Sequence, residues 1–133
     1  MKQFLLLVLM IVCGAAALKL YAHRTAAQNC TGYQTLTAEE AKARLDQDGD
    51  LILLDVRTQT EYDQGHIPGA VCLPNEEIGQ DMPVAFDKDA EILVYCRSGR
   101  RSAEAAGKLA ELGYRNVADF GGILDWPYET TTE

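Results

Sequence analysis

A chain of 133 residues is long enough for one domain with its own core, and a net charge of −8 argues against binding nucleic acid or anionic lipid by bulk electrostatics. Its four cysteines include no C-x-x-C pair, which sets aside a thioredoxin-like dithiol and a zinc ribbon. No His/Cys/Asp/Glu cluster has metal-ligand spacing and no glycine-rich loop opens a helix in a dinucleotide pattern, so neither a metal nor any other cofactor is expected.

Met1-Lys2-Gln3 is a short positive n-region, and Phe4 to Leu18 is a run of 15 residues without a charge. A bilayer span takes about 20 residues, so the run fits a secretory signal over residues 1–22 better than a stable anchor. Cleavage after Ala17, Ala22 or Ala27 is expected, with export to the periplasm. The alternative is an uncleaved N-terminal anchor, the one route by which a membrane enters. All 20 acidic residues, but only nine of the 12 basic ones, lie beyond position 28, so the exported part carries −11. Residues 23–31 are polar and aperiodic, as in a linker. A domain is expected over 32–128, followed by a polar tail at 129–133.

Within the domain, Tyr33 to Leu36 reads as a first strand. Thr37-Ala-Glu-Glu40 is a capping box that opens a helix to about Asp46. Leu51 to Val56 is a strand apolar on both faces, reached through the Asp48-Gly49-Asp50 turn. Thr58-Gln-Thr-Glu61 is a second capping box, starting a short helix that ends at Gly65. Pro68-Gly69 leads into a strand at Ala70 to Leu73, and the acidic segment 75–90 holds one short helix. Ile92 to Tyr95 is a buried-strand pattern closed by Cys96. Ala103, Ala106, Leu109 and Ala110 then recur at helical spacing as far as Gly113. Asn116 to Ala118 is a last strand, and Gly121-Gly122 opens a helical turn through Trp126 that Pro127 ends. Strands alternating with helices predict an α/β fold, a parallel sheet covered on both faces.

Cys96 stands at the carboxyl end of a strand on the turn into a helix, the edge where open α/β sheets bind ligands. The helix N-terminus and the arginines at 97, 100 and 101 all favour its thiolate. Cations at a helix N-terminus oppose its dipole, so this group reads as an anion site. A loop curling after Cys96 aims backbone N–H groups at the sulfur. Arg97 and Arg100 are candidates to hold an anion, while Arg101 either joins them or closes the loop. Ser98 and Ser102 read as helix caps or hydrogen-bond donors. Asp55 ends a buried strand and needs loop N–H groups or a cation; Arg57 and Glu61 are spaced for an ion pair. His66 reads as a hydrogen-bonding loop residue, Cys72 as packing, and Trp126 as a packed aromatic or a wall of the site.

Asp55-Val56-Arg57, Glu61 and Gly65-His-Ile-Pro-Gly-Ala70 resemble the front of a rhodanese domain. Tyr95-Cys-Arg-Ser-Gly-Arg-Arg-Ser102 resembles its active-site loop, and Gly121-Gly-Ile-x-x-Trp126 its end. The resemblance covers residues 32 to 128 and points to the small exported single-domain members. It implies a three-layer fold with a five-stranded parallel sheet. It also implies a sulfurtransferase that moves sulfane sulfur from thiosulfate through a Cys96 persulfide to cyanide or a thiol. Arg97, Ser98, Gly99, Arg100 and Arg101 would bind the donor, with Asp55, Arg57, Glu61 and His66 as structural support, in a monomer. Three alternatives stand beside it. One is a non-catalytic sulfur carrier or sulfur-anion-binding module. Another is a redox thiol that Cys30 or Cys72 resolves. The third is a cysteine-based phosphatase or arsenate reductase, whose loop places arginine six positions after cysteine, where this chain has Ser102.

Overall fold

The computed structural model describes residues 32–47 and 49–133. The signal or anchor at 1–22, the linker at 23–31 and Cys30 lie outside the described residues. Five strands form one sheet: β1 (Gln34–Thr35), β2 (Ile52–Asp55), β3 (Val71–Cys72), β4 (Glu91–Cys96) and β5 (Asn116–Gly122). Their order across the sheet is β1-β5-β4-β2-β3, and every neighbouring pair is parallel. Three helices cross over between them: α1 (Ala38–Gln47), α2 (Gln59–Asp63) and α3 (Arg100–Glu111).

The pleat sorts the apolar residues onto two faces. Leu54, Val56, Ile92, Val94 and Cys96 pack with Ala105, Ala106 and Leu109 of α3. Leu53, Leu93, Tyr95, Ala118 and Phe120 pack with Ala41 of α1 and with Ile67 and Trp126. Helices therefore cover both faces, as the alternation of elements predicts.

Both capping boxes form. The Glu40 N–H donates to Thr37 Oγ1 while the Thr37 N–H donates to Glu40 Oε2 at 2.8 Å. At α2 the Thr58 and Glu61 side chains exchange the same pair of bonds with each other's backbone. Segment 75–90 holds one 3-10 turn, Asn75–Glu77, and a second covers Ile123–Asp125.

Two expectations need correction. The last strand continues four residues past Ala118 and takes in Asp119. Asp119 is buried, and its Oδ1 accepts the Gly121 N–H at 2.9 Å. The polar residues 129–133 also do more than trail: His66 and Thr131 exchange backbone bonds at 2.8 Å in an antiparallel bridge. Trp126 Nε1 donates to the Glu129 carbonyl, which turns the chain toward that bridge.

Candidate active site

Because the strands are parallel, Asp55, Cys72, Cys96 and Gly122 all end at one edge of the sheet. Cys96 is the last residue of the central strand β4, and α3 starts four residues later. The intervening turn can be this short because Gly99, the residue before α3, adopts φ +103°. A side chain there would be strained. The curl brings the Gly99 N–H to 3.0 Å from Cys96 Sγ.

The sulfur is buried, which by itself raises a thiol's pKa. The Ser102 hydroxyl and the N–H groups of Ser102, Gly99 and Ser98 outweigh that penalty, and Cys96 is held below the usual thiol range. This is the anion nest expected from the sequence.

The three arginines divide. Arg97 and Arg100 are exposed, and neither guanidinium has an ion-pair partner among the described residues. Arg101 instead closes on Glu61, with two bonds of 2.8 Å from Nη1 and Nη2 to the two carboxylate oxygens. This pair holds Glu61 down at about 2. Arg101 therefore ties the loop to the start of α2.

The pairing of Arg57 with Glu61 does not occur. Arg57 turns inward to Asp55, with Nη2 at 2.6 Å and Nε at 2.9 Å, and donates to the Gly65 carbonyl at 2.7 Å. Asp55 is fully buried and also accepts from the Arg57 N–H and from the Tyr95 hydroxyl at 2.8 Å. The Tyr95 oxygen in turn accepts the Ile67 N–H. Every lone pair thus has a donor, which a buried carboxylate requires. The network locks segment 56–67 to Tyr95, the residue just before Cys96. His66 stacks on Tyr62 at 3.7 Å and its Nδ1 lies 2.9 Å from the Tyr62 carbonyl, a scaffold role.

Two motif residues make contacts that their place in the sequence does not show. A Cβ on Gly122 would collide with the Arg97 carbonyl, so the second glycine is what lets the loop rest on β5. Ser102 is fully buried, and its hydroxyl reaches the Gly99 carbonyl at 3.0 Å and the Gly121 carbonyl at 3.2 Å. Neither serine caps α3 through its side chain, because the cap position is Gly99. The Leu124 N–H donates to the Arg97 carbonyl, a further tie to the chain after β5. Trp126 packs between Phe120 and Tyr128 on the face away from the sulfur, so it walls no part of this site.

Cys72 is poorly placed to meet Cys96. In register it pairs with Asp55, which pairs with Tyr95, so Cys72 shares their face while Cys96 points to the other. Two strand spacings of about 4.8 Å also separate the backbones, beyond the ~7 Å that a disulfide tolerates between Cα atoms. Burial and the nearby Asp55 charge push the Cys72 thiol up. Among the described residues no group of three or more His, Cys, Asp or Glu is placed to hold a metal ion, and no helix is long and apolar enough to cross a membrane.

A cysteine on a short loop at the carboxyl edge of a parallel α/β sheet is the arrangement of a rhodanese-like domain. The rhodanese-like domain model matches residues 37–128, and the chain belongs to that family. A sulfurtransferase of Allochromatium vinosum is 39% identical over 92 residues, covering 68% of this chain and 85% of that protein. The thiosulfate sulfurtransferase PspE of Escherichia coli is 38% identical, covering 54% of this chain and 70% of its own. The putative sulfur carrier protein YrkF of Bacillus subtilis is 35% identical, with 77% of this chain matching 56% of that longer one. Among solved structures, a rhodanese-related protein of Thermoplasma volcanium superposes with a TM-score of 0.66 at 28% identity, covering 76% of this chain and all of the other.

Proposed function

We propose that the protein is an exported thiosulfate sulfurtransferase that carries sulfane sulfur as a persulfide on Cys96. The observation that carries this reading is the Cys96 sulfur, held below the usual thiol range and bonded by the Gly99 N–H, followed in its loop by the exposed Arg97 and Arg100. Arg97 and Arg100 hold the sulfonate oxygens of thiosulfate, for which guanidinium donors are well shaped. The Cys96 thiolate attacks the sulfane sulfur; the S–S bond of thiosulfate breaks and sulfite leaves with its electron pair. The N–H groups of Ser98, Gly99 and Ser102 then face the outer, negatively charged sulfur of the persulfide. A thiol or cyanide attacks that sulfur and returns the electron pair to Cys96. Export rests on the n-region and the uncharged Phe4–Leu18 run.

Incubation with thiosulfate is expected to add one sulfur atom to the intact mass, and Cys96→Ser to abolish the adduct. An unmodified mass across a wide range of thiosulfate concentrations would refute the reading. The name of the Bacillus subtilis relative favours one second reading, a sulfur carrier that a partner loads. Steady-state production of thiocyanate from thiosulfate and cyanide separates the two, since a carrier loads without turning over.

A further inference from the structure

The ladder between β4 and β5 is irregular at one point, and that point lies beside Cys96. Val94 pairs with Asp119 but Cys96 pairs with Gly122, so two steps along β4 answer three along β5. The extra residue makes a bulge, which is rare between parallel strands and re-aims the chain that follows it. Gly121 takes φ +89°, which a residue with a side chain reaches only under strain. It has no register partner on β4, so its N–H needs an acceptor from elsewhere. Asp119 supplies it: the carboxylate is buried, and Oδ1 accepts the Gly121 N–H at 2.9 Å.

The stretch after the bulge is the one on which the Cys96 loop rests. Gly122 lies so close to Arg97 and Ser98 that no Cβ fits there. The Gly121 carbonyl accepts the Ser102 hydroxyl at 3.2 Å, and the Leu124 N–H donates to the Arg97 carbonyl at 3.2 Å. Both ends of the loop are thus fixed to residues 121–124, and between them the Gly99 N–H meets the sulfur at 3.0 Å. A regular ladder would set Gly121 opposite Cys96 and carry this support one residue out of step, with its faces exchanged.

We propose that Asp119 is a positioning residue for Cys96: by holding the β5 bulge, it sets the loop that brings the Gly99 N–H to the sulfur. It acts through Gly121 and Gly122, and what it contributes is an acceptor oxygen at one place rather than a charge. The inference deepens the sulfur-transfer reading above but rests on it only for a kinetic readout, since Cys96 acidity is measured without any sulfur donor.

Three substitutions separate the oxygen from the charge, each studied well below its melting temperature. Asp119→Asn keeps an acceptor and loses the charge, and its pH midpoint for Cys96 alkylation stays at the wild-type value. Asp119→Ala loses the oxygen, while Asp119→Glu keeps the charge and carries the oxygen one methylene too far. In both, the midpoint rises by about one unit, the scale of one charge-assisted hydrogen bond to a thiolate. At a pH below both midpoints, their single-turnover loading by thiosulfate falls about tenfold with the thiolate fraction. In the wild-type protein, where no variant has to fold, the Gly121 amide exchanges slowly with deuterated solvent. A raised midpoint in Asp119→Asn, an unchanged one in folded Asp119→Ala or Asp119→Glu, or a Gly121 amide that exchanges like an open one each overturns the proposal. Absence of any persulfide in the wild type defeats sulfur transfer instead and leaves the alkylation result standing.

Discussion

Cys72 and Cys96 end parallel strands at the same edge of one sheet, yet they are opposite in chemistry. Cys96 faces α3 and meets the N–H groups at the start of that helix, which hold its pKa below the usual thiol range despite burial. Cys72 faces the side that carries Asp55, where burial and a fixed negative charge push the thiol up. Position at the carboxyl edge is therefore not enough to make a nucleophile. What decides is which face the side chain takes, and that follows from the two-residue period of a strand.

The contrast is broken most severely from the Asp55 side. Replacing Arg57 with Leu leaves the Asp55 carboxylate buried without its cation, and a loss of about 3–5 kcal/mol in unfolding free energy by chemical denaturation is expected. Where the protein still folds, the Cys96 alkylation midpoint should stay low, since no part of its cradle comes from Arg57. Gly122→Ala acts from the other side. The added methyl collides with the Arg97 carbonyl, so a loss of about 1–3 kcal/mol is expected together with an alkylation midpoint close to that of a free thiol. A Gly122→Ala protein with wild-type Cys96 acidity would show that the cradle does not need this contact.

Glu61→Gln tests the tie between loop and α2. The folded value of about 2 lies below the usual 4.5, so the carboxylate contributes stability that is fully present above pH 4.5 and is lost as pH falls toward 2. Glu61→Gln should melt lower than wild type at neutral pH, with the gap closing through that acid window. A gap independent of pH would mean that the charge is not what stabilises the loop. The mildest probe leaves the protein intact. Alkylation followed by mass at each thiol should give a lower pH midpoint for Cys96 than for Cys72, whatever their absolute rates. Coincident midpoints would erase the contrast.

The position of Cys96 between strand and helix was legible because a β-rich run, a cysteine and a helical period succeed one another without a gap. Both capping boxes were legible for the same local reason. The partners of Arg57 and Arg101 were not. A spacing of four suggests Arg57 with Glu61, but α2 starts only at Gln59 and Arg57 precedes it in a segment whose bonds run back to β2. Glu61 is left for Arg101, 40 positions away, a pairing only the fold creates. The neighbours of Gly122 and Ser102 were hidden likewise, because they are brought up from across the sheet. The end of the last strand was not legible, since the buried Asp119 carboxylate is satisfied locally by the Gly121 N–H.

The bridge between His66 and Thr131 has a practical consequence for drawing the limits of this domain. The family match stops at residue 128, three positions short of the strand-like contact that closes the chain onto the segment after α2. A fragment trimmed to that limit would leave the buried His66 with its amide and carbonyl unpaired, so the true cooperative unit extends at least to Thr131.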